Sequence, residues 1–547
     1  MTHDDHSRPR SDIGRARDGI DGFSRRDMLR AGLLGGGALF AAAPLLAGCG
    51  SGGSGGGSGG SGGGPVSKPK RGGTLRIGMT SGGSEDTLDA LVWATNIDGL
   101  RVFQLYNSLT ALDKNAQPQL SLAQEMTPNK DATEWTVRLR SGITFHDGKP
   151  LTADDVIFTY QLVSNPKAPL TGAVLLSPVD VAGIRKLDSL TLRIPCHTPY
   201  ASFYEAQACY QFFIVPVGYD KTKPVGTGPF KYESFTPAQQ STFVRNENYW
   251  QAGLPYLDRV VITDYADETS QINGLASGQL DLIGALTGDS IPAVQGAGGS
   301  VLVENGAAFA PFTMRMDQAP FNDIRVRQAL RLVVDREQMR QLVFGGHGLI
   351  GNDLFALFDP DYDHSLPQRT ADIDQARHLL KQAGHDKLSL NLVTADLGAG
   401  SIKAAQVFAQ QASAAGVQVN LQQIPVSTLY GPNYLKWTFA QDIWTYYPYL
   451  PNAQEALIKG AVFNECHVDN PAYTKLFNEA NATVDEAKRR ELIHQMQTLE
   501  YQAEASGYIV PYFVPSIDGF TKRVHGLTPS KTSNPIGGFD LTNVWLD

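Results

Sequence analysis

The side chains best suited to gripping a solute are crowded into one late stretch. Residues 430–449 hold Tyr430, Tyr434, Trp437, Phe439, Trp444, Tyr446, Tyr447 and Tyr449, eight rings in twenty positions where the 9% average gives about two. Such rings combine a broad apolar face with a polar edge, which suits a pocket for varied ligands. Core packing beside a strand edge is the competing reading for any single one. Constellations for catalysis are missing. Ser54 sits in a Gly-x-Ser-x-Gly string, but inside a Gly/Ser tract with no strand or helix around it. Ser164 and Lys167 fit Ser-x-x-Lys, yet Pro166 keeps Asn165 out of a helix and no Lys-Thr-Gly follows. The 11 His include no His-Glu-x-x-His and no pair four apart. No catalytic residue, metal ligand or cofactor is therefore assigned. An exported hydrolase stands as the alternative of another class.

One cysteine is placed for lipid chemistry. Leu46-Ala47-Gly48-Cys49 closes an apolar run that begins at Ala31 and follows Arg25-Arg26. A charged start, a short apolar stretch and small residues before a cleavage point describe an export signal. The Arg pair resembles a twin-arginine address, and the last four residues resemble the bacterial lipobox, in which the Cys is lipidated. Residues 50–64 are all Gly or Ser, a coil with a reach of roughly 20 Å. Residues 1–48 are read as signal and 49–71 as lipidated Cys and tether. A single transmembrane helix over 31–48 is the competing reading, at the short edge of a span.

The elements that must position the ring-rich stretch are of both kinds. Thr74-Leu75-Arg76-Ile77-Gly78-Met79 and Trp135-Thr136-Val137-Arg138-Leu139 alternate with period two, as strands do. Asp147-Gly148 supplies turn chemistry, and Thr152 before Asp154 and Asp155 predicts a helix start. A chain of 547 residues with 42% hydrophobic content is globular and too long for one core. The formal charge of −9 argues against a nucleic-acid partner.

The run from Trp135 through Phe145-His146-Asp147-Gly148 to Val156 resembles the signature of the extracellular solute-binding proteins of family 5, receptors of ABC importers. Gly226-Thr227-Gly228-Pro229-Phe230, Asn246 to Trp250, Gly278 to Asp281 and Pro320 to Asp323 follow in that family's order. The resemblance spans about 72–547. It implies an α/β, two-lobed periplasmic-binding fold of type II, with a subdomain inserted in lobe I. Lobe I would be 72–105, 222–310 and 512–547, the insert 106–221 and lobe II 311–511. It also implies capture of a peptide-like or other small solute between the lobes and delivery to a membrane permease. The protein would be an exported monomer, lipid-anchored in the cell envelope.

By the same resemblance, Trp444, Tyr446, Tyr447 and Tyr449 line the pocket. From lobe I, Trp93, Thr95 and Asn96 follow a Leu88-Asp89 element and face the cleft, with Phe312 near the first crossing. Peptide-binding members place an acid after the Trp to pair with the ligand's ammonium. Here Tyr446 or Tyr447 takes that place, which favours a ligand without a free amine, such as an oligosaccharide or a metal chelate. Alternatively another acid, Glu455 or Glu465, serves. His146 is expected to be scaffold. Three cysteines remain besides Cys49; the export signal permits a Cys196–Cys209 disulfide, with buried free thiols as the competing reading.

Overall fold

The computed structural model describes residues 68–93, 95–398 and 400–547. The export signal, Cys49 and the Gly/Ser tract lie outside the described residues.

Leu75, Ile77 and Met79 are fully buried on the strand Thr74–Met79. It pairs in parallel with both Arg259–Asp264 and Leu282–Ile283, and parallel strands need apolar cover on their faces. This strand is the middle of an eight-stranded sheet. From one edge its main order is Ser300–Phe309, Tyr512–Phe520, Leu282–Ile283, Thr74–Met79, Arg259–Asp264, Gln240–Arg245 and Phe230–Thr236, with Leu349–Ile350 also on Tyr512–Phe520. A second sheet runs Val417–Gln423, Leu388–Thr394, Phe439–Gln441, Phe312–Met314 and Tyr508–Ile509. Its core joins Phe312, Val326, Leu330, Leu392 and Phe408.

Among the described residues, only two short passages carry extended chain directly from one sheet to the other. Ser300–Phe309 continues through Ala310-Pro311 into Phe312–Met314. Tyr508–Ile509 continues through Val510-Pro511 into Tyr512–Phe520. A proline stands in each passage, where a missing N–H costs the ladders nothing. Two sheets joined in this way make a two-lobed α/β fold.

The insert has its own four-stranded sheet, in the order Ala123–Pro128, Glu134–Leu139, Thr191–Pro195 and Arg185–Lys186. Trp135, Val137 and Leu139 face inward and their neighbours outward, as the alternation predicts. The helix Ala153–Val163 starts where expected, and the Asp155 carboxylate accepts from the Thr152 N–H at 2.8 Å.

The signature turn binds the insert to lobe I. His146 Nε2 lies 3.1 Å from the Gly228 carbonyl, and its Nδ1 accepts from the Gly226 N–H at 3.2 Å. Burial lowers its pKa to about 4, so the ring is neutral in this scaffold role. Gly226 and Gly228 press on the end of the helix Asn96–Leu105. A Cβ on Gly226 would stand 2.0 Å from the Leu105 carbonyl oxygen, which explains why this landmark is glycine-rich. Among the described residues no helix is long and apolar enough to cross a membrane.

Candidate functional site

After the strand Phe439–Gln441 the chain runs irregularly to the helix Tyr449–Ala456. Trp444 lies at the join of the two lobes. It forms an antiparallel bridge with Phe309, the last residue of the long lobe I strand, with N–H to O distances of 2.9 and 3.0 Å. Backbone pairing therefore fixes the indole beside the first crossing. The rings of Trp444, Phe309, Phe355 and Tyr449 form a near-parallel series, with centroid spacings of 6.4, 6.1 and 5.1 Å. Phe463 meets Trp444 edge-on at 6.1 Å. Each contact of this kind adds about 0.5–1.5 kcal/mol beyond area burial.

The four ring residues expected in the pocket divide by what their polar ends do. Tyr449 points into lobe II, where its hydroxyl donates to Glu500 and lies 3.1 Å from the Tyr473 hydroxyl. Burial pushes Glu500 up to about 7, against the hydrogen bonds of the two phenols. Tyr447 turns toward the insert. Its hydroxyl accepts from Gln211 Nε2 at 2.5 Å, and its ring lies 5.8 Å from Tyr210. The Tyr446 hydroxyl is buried with no hydrogen-bond partner among the described residues. Trp444 is 1% exposed and Tyr446 and Tyr447 are each 4% exposed, so these rings are enclosed.

From the other half, Trp93 packs on Tyr210 at 4.8 Å and edge-on to Phe103 and Phe539. Trp93, Tyr210 and Tyr447 thus form a ring relay from lobe I through the insert to lobe II. Thr95 has a local task. Its hydroxyl caps the helix Asn96–Leu105 by accepting from the Asp98 N–H at 3.2 Å. Asn96 is exposed at the first position of that helix. Phe312 is fully buried in lobe II and stacked 4.5 Å from Phe408, on an inner strand flanked by Phe439–Gln441 and Tyr508–Ile509.

The acids near Trp444 are held by phenols. Asp442 accepts from the Tyr430 and Tyr434 hydroxyls, and Tyr434 also lies 2.8 Å from Glu465. One hydroxyl thus bridges two buried carboxyl groups. Glu455, on the helix that follows, is 1% exposed. Tyr210 and Gln211 were not singled out from the sequence. The aromatic run Tyr210, Phe212, Phe213 was the available signal, and nothing in it distinguished a ring turned to the other lobe from one turned inward. A depression of about 360 Å³ on lobe II, lined by residues such as Phe321, Asn391 and Trp437, draws on one lobe only and is not the gap between halves.

The possible Cys196–Cys209 disulfide is not formed, and both cysteines are free. Cys196 sits just past the strand Thr191–Pro195, with its N–H on the Thr133 carbonyl, while the Cys209 thiol is directed to the Glu205 carbonyl 3.9 Å away. Burial pushes the Cys196 thiol up to about 12 and raises the Cys209 thiol well above its usual range, so both are unreactive as thiolates.

Residues 117–459 match the bacterial extracellular solute-binding proteins, family 5 Middle, and the chain belongs to that family. Heme-binding protein A of Haemophilus influenzae is 28% identical over 316 residues, covering 52% of this chain and 57% of that protein. Oligopeptide-binding protein AppA of Bacillus subtilis is 26% identical over 334 residues, covering 58% and 61%. The chain thus matches less than two thirds of the length of both relatives. The ABC transporter substrate-binding protein CtaP of Listeria monocytogenes superposes with a TM-score of 0.76 at 21% identity, over 87% of this chain and 100% of that one, which shows the shared fold.

Proposed function

We propose that this protein is the substrate-binding receptor of an ABC importer. It would take a peptide-like or other small solute between its lobes and present the closed form to a membrane permease. The observation that carries this reading is the enclosed ring relay Trp93–Tyr210–Tyr447, with Trp444 bridged to Phe309 beside a crossing. Side chains from both halves meet at a place where hinge motion would separate them. A ligand there shifts the open–closed balance by its differential affinity for the two forms. The relatives named for heme and for oligopeptides support a site whose ligand varies while the fold persists. The reading includes the lobe divisions given above, the monomeric state, the pocket roles of Trp444, Tyr446, Tyr447 and Trp93, and the lipid anchor at Cys49.

The test is mass spectrometry of small molecules that co-purify with residues 68–547, followed by titration with the compound found. Binding with quenched or shifted tryptophan emission and a smaller scattering radius is the expected result. A radius and emission unchanged by every bound or added solute would refute the receptor reading. Turnover of ester or β-lactam probes would favour the hydrolase alternative.

A further inference from the structure

The insert is rooted in lobe I, yet its far edge is fastened to lobe II. At the root, His146 is held by Gly226 and Gly228, and the Lys231 ammonium donates to the His146 carbonyl at 3.1 Å. At the far edge the chain enters the short helix Phe203–Ala206. There the Ala201 N–H donates to the Asn481 carbonyl at 2.8 Å, and the Ser202 hydroxyl donates to Asn481 Oδ1 at 2.7 Å. Asn481 is the last residue of the lobe II helix Pro471–Asn481, and its amide nitrogen donates to the Phe477 carbonyl at 3.3 Å. That bond fixes which end of the amide faces Ser202. Both Ser202 and Asn481 are buried. On the same insert helix, Glu205 pairs with Arg489 at 3.1 Å, from the next lobe II helix, Glu486–Tyr501. A further tie joins Gln454 Nε2 of lobe II to the Val174 carbonyl of the insert at 2.9 Å.

These ties have two properties in common. They join parts of the chain that bending at the two crossings would pull apart, so they belong to the closed form. They also run directly from protein to protein and use none of the rings of the relay, so they act whether or not a solute is bound. A hydrogen bond made in one form and lost to water in the other shifts the balance about fivefold, and one to a charged group shifts it further. A solute moves that balance only by its differential affinity, so the balance without solute scales every apparent affinity alike. We propose that the insert is an interlobe latch, in which Ala201, Ser202 and Glu205 engage Asn481 and Arg489 and bias the protein toward closure before a solute arrives. The proposal rests on the receptor reading above and deepens it by giving the insert a regulatory task. Closure is then tuned by residues other than the pocket rings, which leaves those rings free to suit the solute.

The test needs no ligand. Residues 68–547 and the variants Ser202→Ala, Arg489→Ala and the double variant are dialysed free of co-purified solute. Each is then measured by small-angle scattering and by hydrogen exchange. The single variants should enlarge the scattering radius and speed exchange of the Ala201 amide about fivefold, and the double variant should do both to a greater degree. Exchange at Val137 in the insert's sheet and at Leu392 in the lobe II sheet should match the parent. An unchanged radius in the double variant overturns the latch, even where Ala201 exchanges faster, since that is fraying without opening. Faster exchange at Val137 and Leu392 as well overturns it too, because the ties then support the fold and not closure. The receptor reading is decided separately, by the parent's response to added solute, so either can fail alone.

Discussion

Two buried charge clusters, one in each lobe, are built with opposite stoichiometry. In lobe I a single guanidinium, Arg101, meets three carboxyl groups: Asp86 at 2.9 Å, Asp98 at 3.0 Å and Asp264 at 2.8 Å. In lobe II a single carboxylate, Asp353, meets three guanidiniums: Arg336 at 2.7 Å, Arg369 at 2.8 Å and Arg331 at 3.9 Å. The first fastens the loop after the opening strand, since Asp86 accepts from the Gly83 N–H and Asp98 from the Thr87 N–H. That loop leads to Trp93. The second fastens a crossing, since Asp353 accepts from the Val510 N–H at 3.1 Å and Arg331 donates to the Ser506 and Tyr508 carbonyls.

The stoichiometry decides how each responds to protons. With carboxyl groups in excess, burial raises Asp98 to about 6 and Asp264 to about 7, against the pull of Arg101. With guanidiniums in excess, burial acts on Asp353 in the same direction but is outweighed by Arg336, Arg331 and Arg369, and the carboxylate stays below its usual range. The anchor of the loop before Trp93 therefore titrates near neutrality. The anchor of the hinge does not.

The largest expected effect comes from emptying the hinge cluster. Asp353→Ala leaves three guanidiniums without their shared carboxylate and should cost about 3–5 kcal/mol in urea unfolding. A loss below about 1 kcal/mol, the size of a single ordinary hydrogen bond, would show that the crossing is held by other means. The lobe I cluster predicts a pH dependence of a definite sign. A carboxyl group whose folded pKa is raised contributes stability below its unfolded value near 4, and loses it as pH rises through the folded value. Thermal midpoints should therefore fall, from these groups, as pH rises from about 4.5 to about 7.5. Asp264→Asn should flatten that slope and sit within about 1 kcal/mol of the parent at neutral pH. An unchanged slope would break the contrast between the clusters.

Smaller still is the effect of the cap that ends the same loop. Thr95→Ala should cost about 1 kcal/mol, read in the same urea experiment, while Asn96→Ala should change stability little. Last comes a null effect. With Cys196 and Cys209 free, a reductant should leave the thermal midpoint where it was, and a 196–209 crosslink in a non-reducing peptide map would contradict the structure.

Much of the fold was legible because it is written locally. The alternation of Trp135, Val137 and Leu139, and the Thr152–Asp155 cap, are set by neighbours in sequence, and both elements form where the residues say. The ring-rich stretch was visible too, but its division of labour was not. Tyr446, Tyr447 and Tyr449 look alike in sequence. One points at Glu500, one at Gln211 and one at no hydroxyl partner, because their surroundings come from segments far away in the chain, such as Phe309, which pairs with Trp444 from 135 positions earlier.

What the amino-acid sequence determined by itself was the class of elements, their order and the family landmarks, since propensity, capping and period act over a few residues. What only the tertiary structure decided was partnership. The glycines beside Leu105, the guanidinium shared by three aspartates and the meeting of Gln211 with Tyr447 all join residues far apart in the chain. Their energies depend on distance and burial, which no local pattern encodes.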